Sequence, residues 1–339
     1  MSRNSANLDV LRALAVLMVF CHHLLEYGYF SERRVSELGQ FGVLIFFVHT
    51  SLVLMMSMER NSGALNFYIR RFFRIYPLSI LVVGLVAVLR IPSNPAREYA
   101  SLGSFNLLSN LALTMNLTHS PMALAPLWSL PIEVQMYIFL PLLFLATRTR
   151  HPVRNLLLIW LAWLPLAYYQ PLMSGPHNLL RFGPCFVPGI VAYVLLAKSN
   201  RKGKLPWWIW PPFIIAVYAG YQLLDPHGYG WLECLALGLA IPLFREVQVK
   251  WVRGAAGAIA KYSYGIYLFH LIAIYYCFGS LLAATWVRIA ASVLFTAVAS
   301  VASYHLLEEP LIEYGRRLGH ALAPAKPQEV VAQAVGMSQ

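Results

Sequence analysis

Apolar segments follow one another from Leu8 to Leu307, and mostly short basic loops separate them. A helix crossing the hydrocarbon of a bilayer needs about 17–25 mostly apolar residues, and its backbone polar groups must be satisfied within the segment. These requirements leave a polytopic all-α transmembrane bundle as the expected fold. Only 12% of the 339 residues are charged and 59% are hydrophobic, whereas soluble domains carry roughly 25% charged residues. No break in composition divides the chain. We expect one membrane domain over residues 1–315, then a short Ala/Pro/Gln-rich cytoplasmic tail, 316–339, that is disordered.

About ten spans are expected: 8–27, 41–58, 76–90, 132–147, 155–170, 182–198, 207–223, 230–245, 262–280 and 286–307. The first contains Asp9, Arg12, His22 and His23 and lacks a small-residue cleavage site, so it is expected to be retained as a membrane helix. With the N-terminus inside, the cytoplasmic segments hold Arg3, Arg60, Arg70, Arg71, Arg74, Arg148, Arg150, Arg154, Lys198, Arg201, Lys202, Lys204, Arg245, Lys250, Arg253, Lys261, Arg316, Arg317 and Lys326. The outer segments hold only Arg33, Arg34, Arg90, Arg97, Arg181 and Arg288. This asymmetry predicts both termini in the cytoplasm. Phe105–Leu117 is apolar but short. Counting it as a span would put Arg148–Arg154 outside, so it is read as a re-entrant or surface helix.

The net charge of +12 is read as topological charge facing the cytoplasm, not as a nucleic-acid surface. Cys21, Cys185, Cys234 and Cys277 lack CxxC spacing and are expected to be small core residues, with no metal site. Trp207, Trp208, Trp210, Trp231 and Trp251 lie near span edges and are expected to act as interface anchors.

Ionisable residues inside spans mark candidate chemistry. Arg12 and His23 are eleven positions apart. Eleven helical steps end about 20° from three full turns, so the two side chains share a face, about 16 Å apart along the axis. His22 points roughly 100° away. Asp9 lies three residues before Arg12 and can pair with it. A neutral histidine is a suitable general base near pH 7. The bland alternative is a structural Arg–Asp pair and an interfacial histidine.

Arg71 and Arg74 share a face if helical, and suit either phosphate binding or a cytoplasmic anchor. Glu133, beginning an apolar helix after Trp128 and Ser129, can complement the helix N-terminus or orient a reacting group. His49 can line the same cavity, and His270 is either a core or a catalytic histidine. Glu308-Glu309-Pro310 is read as a helix stop. No HExxH, P-loop or GxSxG motif is present.

These residues together resemble the acyltransferase-3 family of integral membrane acyltransferases. Leu8–Leu17 is similar to its first-helix signature, and Arg12 with His23 matches its Arg, ten residues, His motif. Gly42-Val-Leu-Ile-Phe-Phe-Val48, Arg71-x-x-Arg74, Leu127-Trp-Ser-Leu130 with Glu133 and Tyr137, and Tyr262–His270 follow in the family's order. The departures are Val10, His49-Thr50-Ser51 where the family has Ser-Gly, Pro131 and Val134.

The resemblance implies a multi-pass enzyme of the bacterial inner membrane, surrounded by lipid and without a permanently bound cofactor. Its donor would be acyl-CoA, in the first place acetyl-CoA, and its acceptor a glycan or lipid-linked sugar hydroxyl. Catalysis would fall to His23, Arg12 and Glu133, and donor binding to Arg12, Arg71 and Arg74. Asp9, His49, Trp128, Ser129 and His270 are further candidates. Alternatives are acylation of a diffusible molecule such as a macrolide, or a transporter or flippase, for which intramembrane Arg and His would line the substrate path.

Overall fold

In the computed structural model, α2 (Arg33–Arg60) is the helix around which the others gather. In its apolar stretch 78% of residues are buried, against 22% for Thr285–Ala321. A helix apolar on all sides belongs in the middle of a bundle. The described residues are 5–28, 33–60, 63–93, 99–170, 175, 177–198, 203–225 and 227–322. Arg3, Arg97, Arg201, Lys202, Lys326 and residues 323–339 lie outside them, as do the side chains of Arg33, Arg34 and Lys198.

The other helices are α1 (Ala6–Gly28), α3 (Ala64–Leu89), α4 (Ser104–Leu111), α5 (Met115–Thr118), α6 (Ser129–Thr147), α7 (Pro152–Tyr169) and α8 (Leu179–Phe182). There follow α9 (Val187–Lys198), α10 (Trp210–Leu224), α11 (Trp231–Ala240), α12 (Lys250–Ser280), α13 (Thr285–Ser303) and α14 (Glu309–Ala321). Among the described residues the only β-type pairing is an isolated bridge between Leu205 and Phe244. All ten expected segments fall on helices, and six helical runs are long and apolar enough to cross a membrane. Ile138, Leu142 and Leu145 on α6, with Leu294 and Val298 on α13, leave apolar side chains exposed. Lipid is the solvent that such bands require. The chain is an all-helical membrane protein.

Helix edges depart from the expected spans in ways that matter. The third helix starts at Ala64 and continues through Pro77, so Arg70, Arg71 and Arg74 lie on the helix, not before it. The segment 105–117 forms α4 and α5, both too short to cross, and Tyr76 Oη donates to the Ala112 carbonyl to hold the segment against α3. Trp210 is buried against Phe244, 4.4 Å between ring centroids, and is not an interface anchor. The last helix runs to Ala321, so residues 316–321 are helical and not part of a disordered tail. Its Gly315 and Gly319 allow this: a Cβ at either position would meet Phe73 or Asn66 of α3 at 2.7 and 2.4 Å. Small residues four apart let two helices touch along their backbones.

Ser51 fixes the crossing of α2 and α9. Its Oγ, within reach of both the Val48 and Phe186 carbonyls, lies 2.6 Å from the latter. Gly189 passes so close that a Cβ there would lie 2.0 Å from the Val48 carbonyl oxygen. This crossing sets the direction of Phe46, Phe47 and His49, which face the interior described next.

Candidate active site

Three adjoining cavities follow α1 from one end to the other. The entrance cavity, about 480 Å³, is lined by Ser5, Asp9, Arg12, His49, Arg60, Arg74, Lys261 and Tyr304. The central cavity, about 110 Å³, is lined by Arg12, His49, Arg71, Arg74, Ser129, Glu133, Tyr137, Ser263, Tyr264 and Tyr267. A third cavity, about 150 Å³ and called outer for the side it takes under the expected topology, is lined by His22, His23, Gln40, Trp128, His177 and Tyr267. Arg12, His49, Val53 and Arg74 belong to both the entrance and central walls. Val43 and Tyr267 are shared by the central and outer walls.

The helical spacing of Arg12 and His23 therefore has the expected result: both side chains face the interior, at opposite ends of the series. Asp9 does not pair with Arg12 among the described residues. Arg12 Nε instead donates to Ser263 Oγ at 2.6 Å, which ties α1 to α12. Arg60 and Lys261, not singled out in the sequence, join Arg12 and Arg74 at the entrance, where Asp9 is the one carboxylate in the lining. A concave surface of this sign draws polyanions.

Glu133 sits in the central cavity and not against His23. It accepts a hydrogen bond from Tyr137 Oη at 2.6 Å and is within electrostatic reach of Arg12, Arg71 and Arg74. Arg71 lines the central cavity only. Arg74 pairs with Glu308 at 3.2 Å. Glu308, expected only as part of a helix stop, is 2% exposed and so places a buried carboxylate beside Arg74. Tyr267 Oη donates to the Pro126 carbonyl, and having one proton must accept from Ser129 Oγ, 2.8 Å away.

His23 takes its orientation from Glu26, whose Oε2 lies 3.2 Å from Nδ1. A carboxylate accepts, so Nδ1 carries the proton and Nε2 is the basic nitrogen. The signal was in the sequence, since residues three apart on a helix are neighbours. His22 also reaches Glu26, at 3.6 Å, and lines the outer cavity despite its angular offset. The ligand atoms of His22, His23 and Glu26 lie within 4.8 Å of one another, a spacing on which a metal ion could close. His270 is fully buried behind His23, with ring centroids 5.1 Å apart, and its Nδ1 donates to the Ile266 carbonyl. Trp128 packs against Phe182 and His177 at 5.1 and 4.9 Å. Burial and the nearby Arg181 cation hold the His177 imidazole below its ordinary pKa.

The fold and site so described are a helical membrane protein with cations at one end of an internal cavity series and an oriented imidazole at the other. Comparison with known proteins gives the family. An acyltransferase domain model, that of the acyltransferase-3 family, matches residues 5–305, and the chain belongs to that family. It is 26% identical to the acyltransferase MdmB of Streptomyces mycarofaciens over 312 residues, 80% of this chain and 79% of the relative. It is 25% identical to a protein named as an acetyltransferase from Acidianus two-tailed virus, covering 77% of this chain and 81% of the relative. A Staphylococcus aureus protein named as an O-acetyltransferase is 29% identical over 234 residues, which span 62% of this chain but 36% of that longer relative. No solved structure matches the chain. The protein is an acyltransferase, and the transporter reading is set aside.

Proposed function

We propose that this enzyme transfers an acyl group, in the first place acetyl, from cytoplasmic acyl-CoA to a hydroxyl of a cell-envelope or exported glycan. The observation that carries the reading is the placement of Arg12 and His23 at opposite ends of adjoining cavities along one helix. The proposed setting is the bacterial inner membrane, with ten crossings and both termini cytoplasmic, in keeping with the concentration of basic residues in alternate inter-span segments of the sequence.

In this reading the donor phosphates meet Arg12, Arg74, Arg60 and Lys261 at the entrance, and the thioester arm extends into the central cavity. Arg71 and Glu133 flank it there. The acceptor hydroxyl approaches through the outer cavity, beside Trp128. His23 Nε2 takes its proton as the oxygen attacks the thioester carbonyl. The new C–O bond replaces the C–S bond, and coenzyme A leaves as a thiol after gaining the proton. A thioester is already activated, so positioning and proton transfer supply the catalysis.

The test is acetyl transfer from acetyl-CoA by purified protein in vesicles. His23→Ala, eluting as a folded species, should lose about 10²–10⁴-fold in kcat, the usual contribution of a general base. Unimpaired turnover would remove His23 from the chemistry. Mass spectrometry of surface glycans with and without the gene identifies the acceptor, and unchanged glycans alongside an acylated small molecule would redirect the reading.

A further inference from the structure

We infer that Glu308 is a positioning residue of the acyl-donor site: a π turn carries its carboxylate inward, where it fixes Arg74 between the entrance and central cavities. The inference rests on the donor reading above. It begins with a break in helical register. On α13 the buried stripe runs Ser292, Thr296, Ser300, Ser303, at ordinary steps of four and three. The next buried residue is Glu308, five positions on. In a regular α-helix those five steps would turn Glu308 about 140° away from Ser303, off the stripe. Residues Tyr304–Glu308 form a π turn, which absorbs the extra residue and returns Glu308 to the buried side. Such insertions interrupt a helix at a cost and occur often at functional sites.

The carboxylate so placed is 2% exposed and contacts Arg74 through Oε2 at 3.2 Å. Its other oxygen, Oε1, is buried and has no hydrogen-bond partner among the described residues. Arg74 lines both the entrance and the central cavity. Its guanidinium also lies 5.8 Å from the centre of the Tyr264 ring, and Tyr264 Oη donates to the carbonyl of Ile75, the next residue, at 2.7 Å. The arginine is thus held from two sides at the passage where a donor would move from phosphate binding to thioester placement.

A purely structural role explains less. Gly315 against Phe73 and Gly319 against Asn66 already join α14 to α3 without charge. A buried ion pair with one oxygen unsatisfied is a poor fastener, because desolvation offsets most of its attraction. A long cation that must present its fork in one place does need such a partner.

The experiment measures kcat and KM for acetyl-CoA at saturating acceptor, in vesicles, for wild type, Glu308→Gln, Glu308→Asp, Arg74→Gln and the Glu308→Gln/Arg74→Gln double variant. Glu308→Gln should raise the acetyl-CoA KM about tenfold. In the Arg74→Gln background the same change should add less than about twofold, since residues acting through one contact are not additive. Glu308→Asp keeps the charge and should raise KM about threefold; it reads the same quantity if the Gln variant does not fold. A flat acetyl-CoA KM in either single Glu308 variant, or independent multiplication of the two effects, overturns the inference. Wild-type protein that consumes no acyl-CoA overturns the donor reading and this inference with it.

Discussion

Nδ1 of His23 and Oε2 of Glu26 lie 3.2 Å apart on adjoining turns of α1, and His270 closes the other side of the imidazole at a ring separation of 5.1 Å. The ring that is to accept a proton is thus fixed in both tautomer and tilt. Glu26→Gln removes the charge and keeps the shape. It should lower kcat about tenfold, well short of the 10²–10⁴-fold expected for loss of the base itself, because the carboxylate is partly open to solvent. Magnetic resonance of ring-labelled histidine checks the assignment: with a neutral amide in place of the carboxylate Nδ1–H has a weaker acceptor, so the preference of His23 for the Nδ1-protonated tautomer should fall. A tautomer ratio in Glu26→Gln equal to that of wild type would assign orientation of His23 to another group.

Tyr137 donates to Glu133 in the central cavity at 2.6 Å. Tyr137→Phe leaves that oxygen without its donor beside Arg71 and Arg12. Hydrogen bonds to charged groups contribute roughly 1.5–3 kcal/mol, so the variant should unfold at lower temperature and lose turnover. The informative comparison is with Glu133→Gln, in which Tyr137 keeps an acceptor but three arginines lose a countercharge. We expect the greater loss there, since removing one member of a buried charge group costs roughly 3–5 kcal/mol. Thermal unfolding in detergent, with donor KM, ranks the two. The reverse order would mean that Glu133 is not the countercharge of this cluster.

Periodicity is the part of the fold a sequence states openly, and here it located every helix named in advance and put Arg12 and His23 on one face. What it could not give was the partner of each charge. Arg12 has a nearby acid in sequence, Asp9, yet bonds Ser263 from α12, because bundle packing brings the two helices together. Glu133 stands near several arginines contributed by other helices, which no local spacing reports. Glu308 reads as a helix stop in the sequence, because the π turn that brings it to the buried side rotates the helix by an amount that a fixed 100° step cannot anticipate. Glu26, by contrast, was visible three residues after His23.

Gly189 tests the frame that aims the site. A methyl group there would sit 2.0 Å from the Val48 carbonyl oxygen and 2.1 Å from Ser51 Oγ. The first contact is backbone and has no rotamer to yield. Gly189→Ala should therefore push α9 from α2, with overpacking of about 1–3 kcal/mol or more, and disturb Phe47 and His49 next to that carbonyl. Gly254, with open space around it, is the control: Gly254→Ala should be neutral or slightly stabilising, as alanine is the better helix former. Melting temperatures of the two variants make the comparison, and equal stability would show that α2 and α9 cross less closely than described.

His177 supplies a pH-dependent prediction on the acceptor side. Its ring packs on Trp128 at 4.9 Å in the outer cavity. Burial first, and the Arg181 cation second, disfavour its protonated form and lower its pKa from the ordinary value near 6.5. Since the folded pKa is depressed, the unfolded chain takes up the proton more readily. The stability that neutral His177 contributes is then complete above pH 6.5 and is lost as pH falls towards and through the folded pKa. Magnetic resonance of labelled histidine should give a midpoint below 6.5 for His177, and Arg181→Ala should raise it by removing one of the two causes. The acceptor KM should be flat from pH 8 to 6.5 and climb only below that, as a charged ring begins to form against the indole. A midpoint at or above 6.5, or one unmoved by Arg181→Ala, would place His177 in open water, away from Trp128.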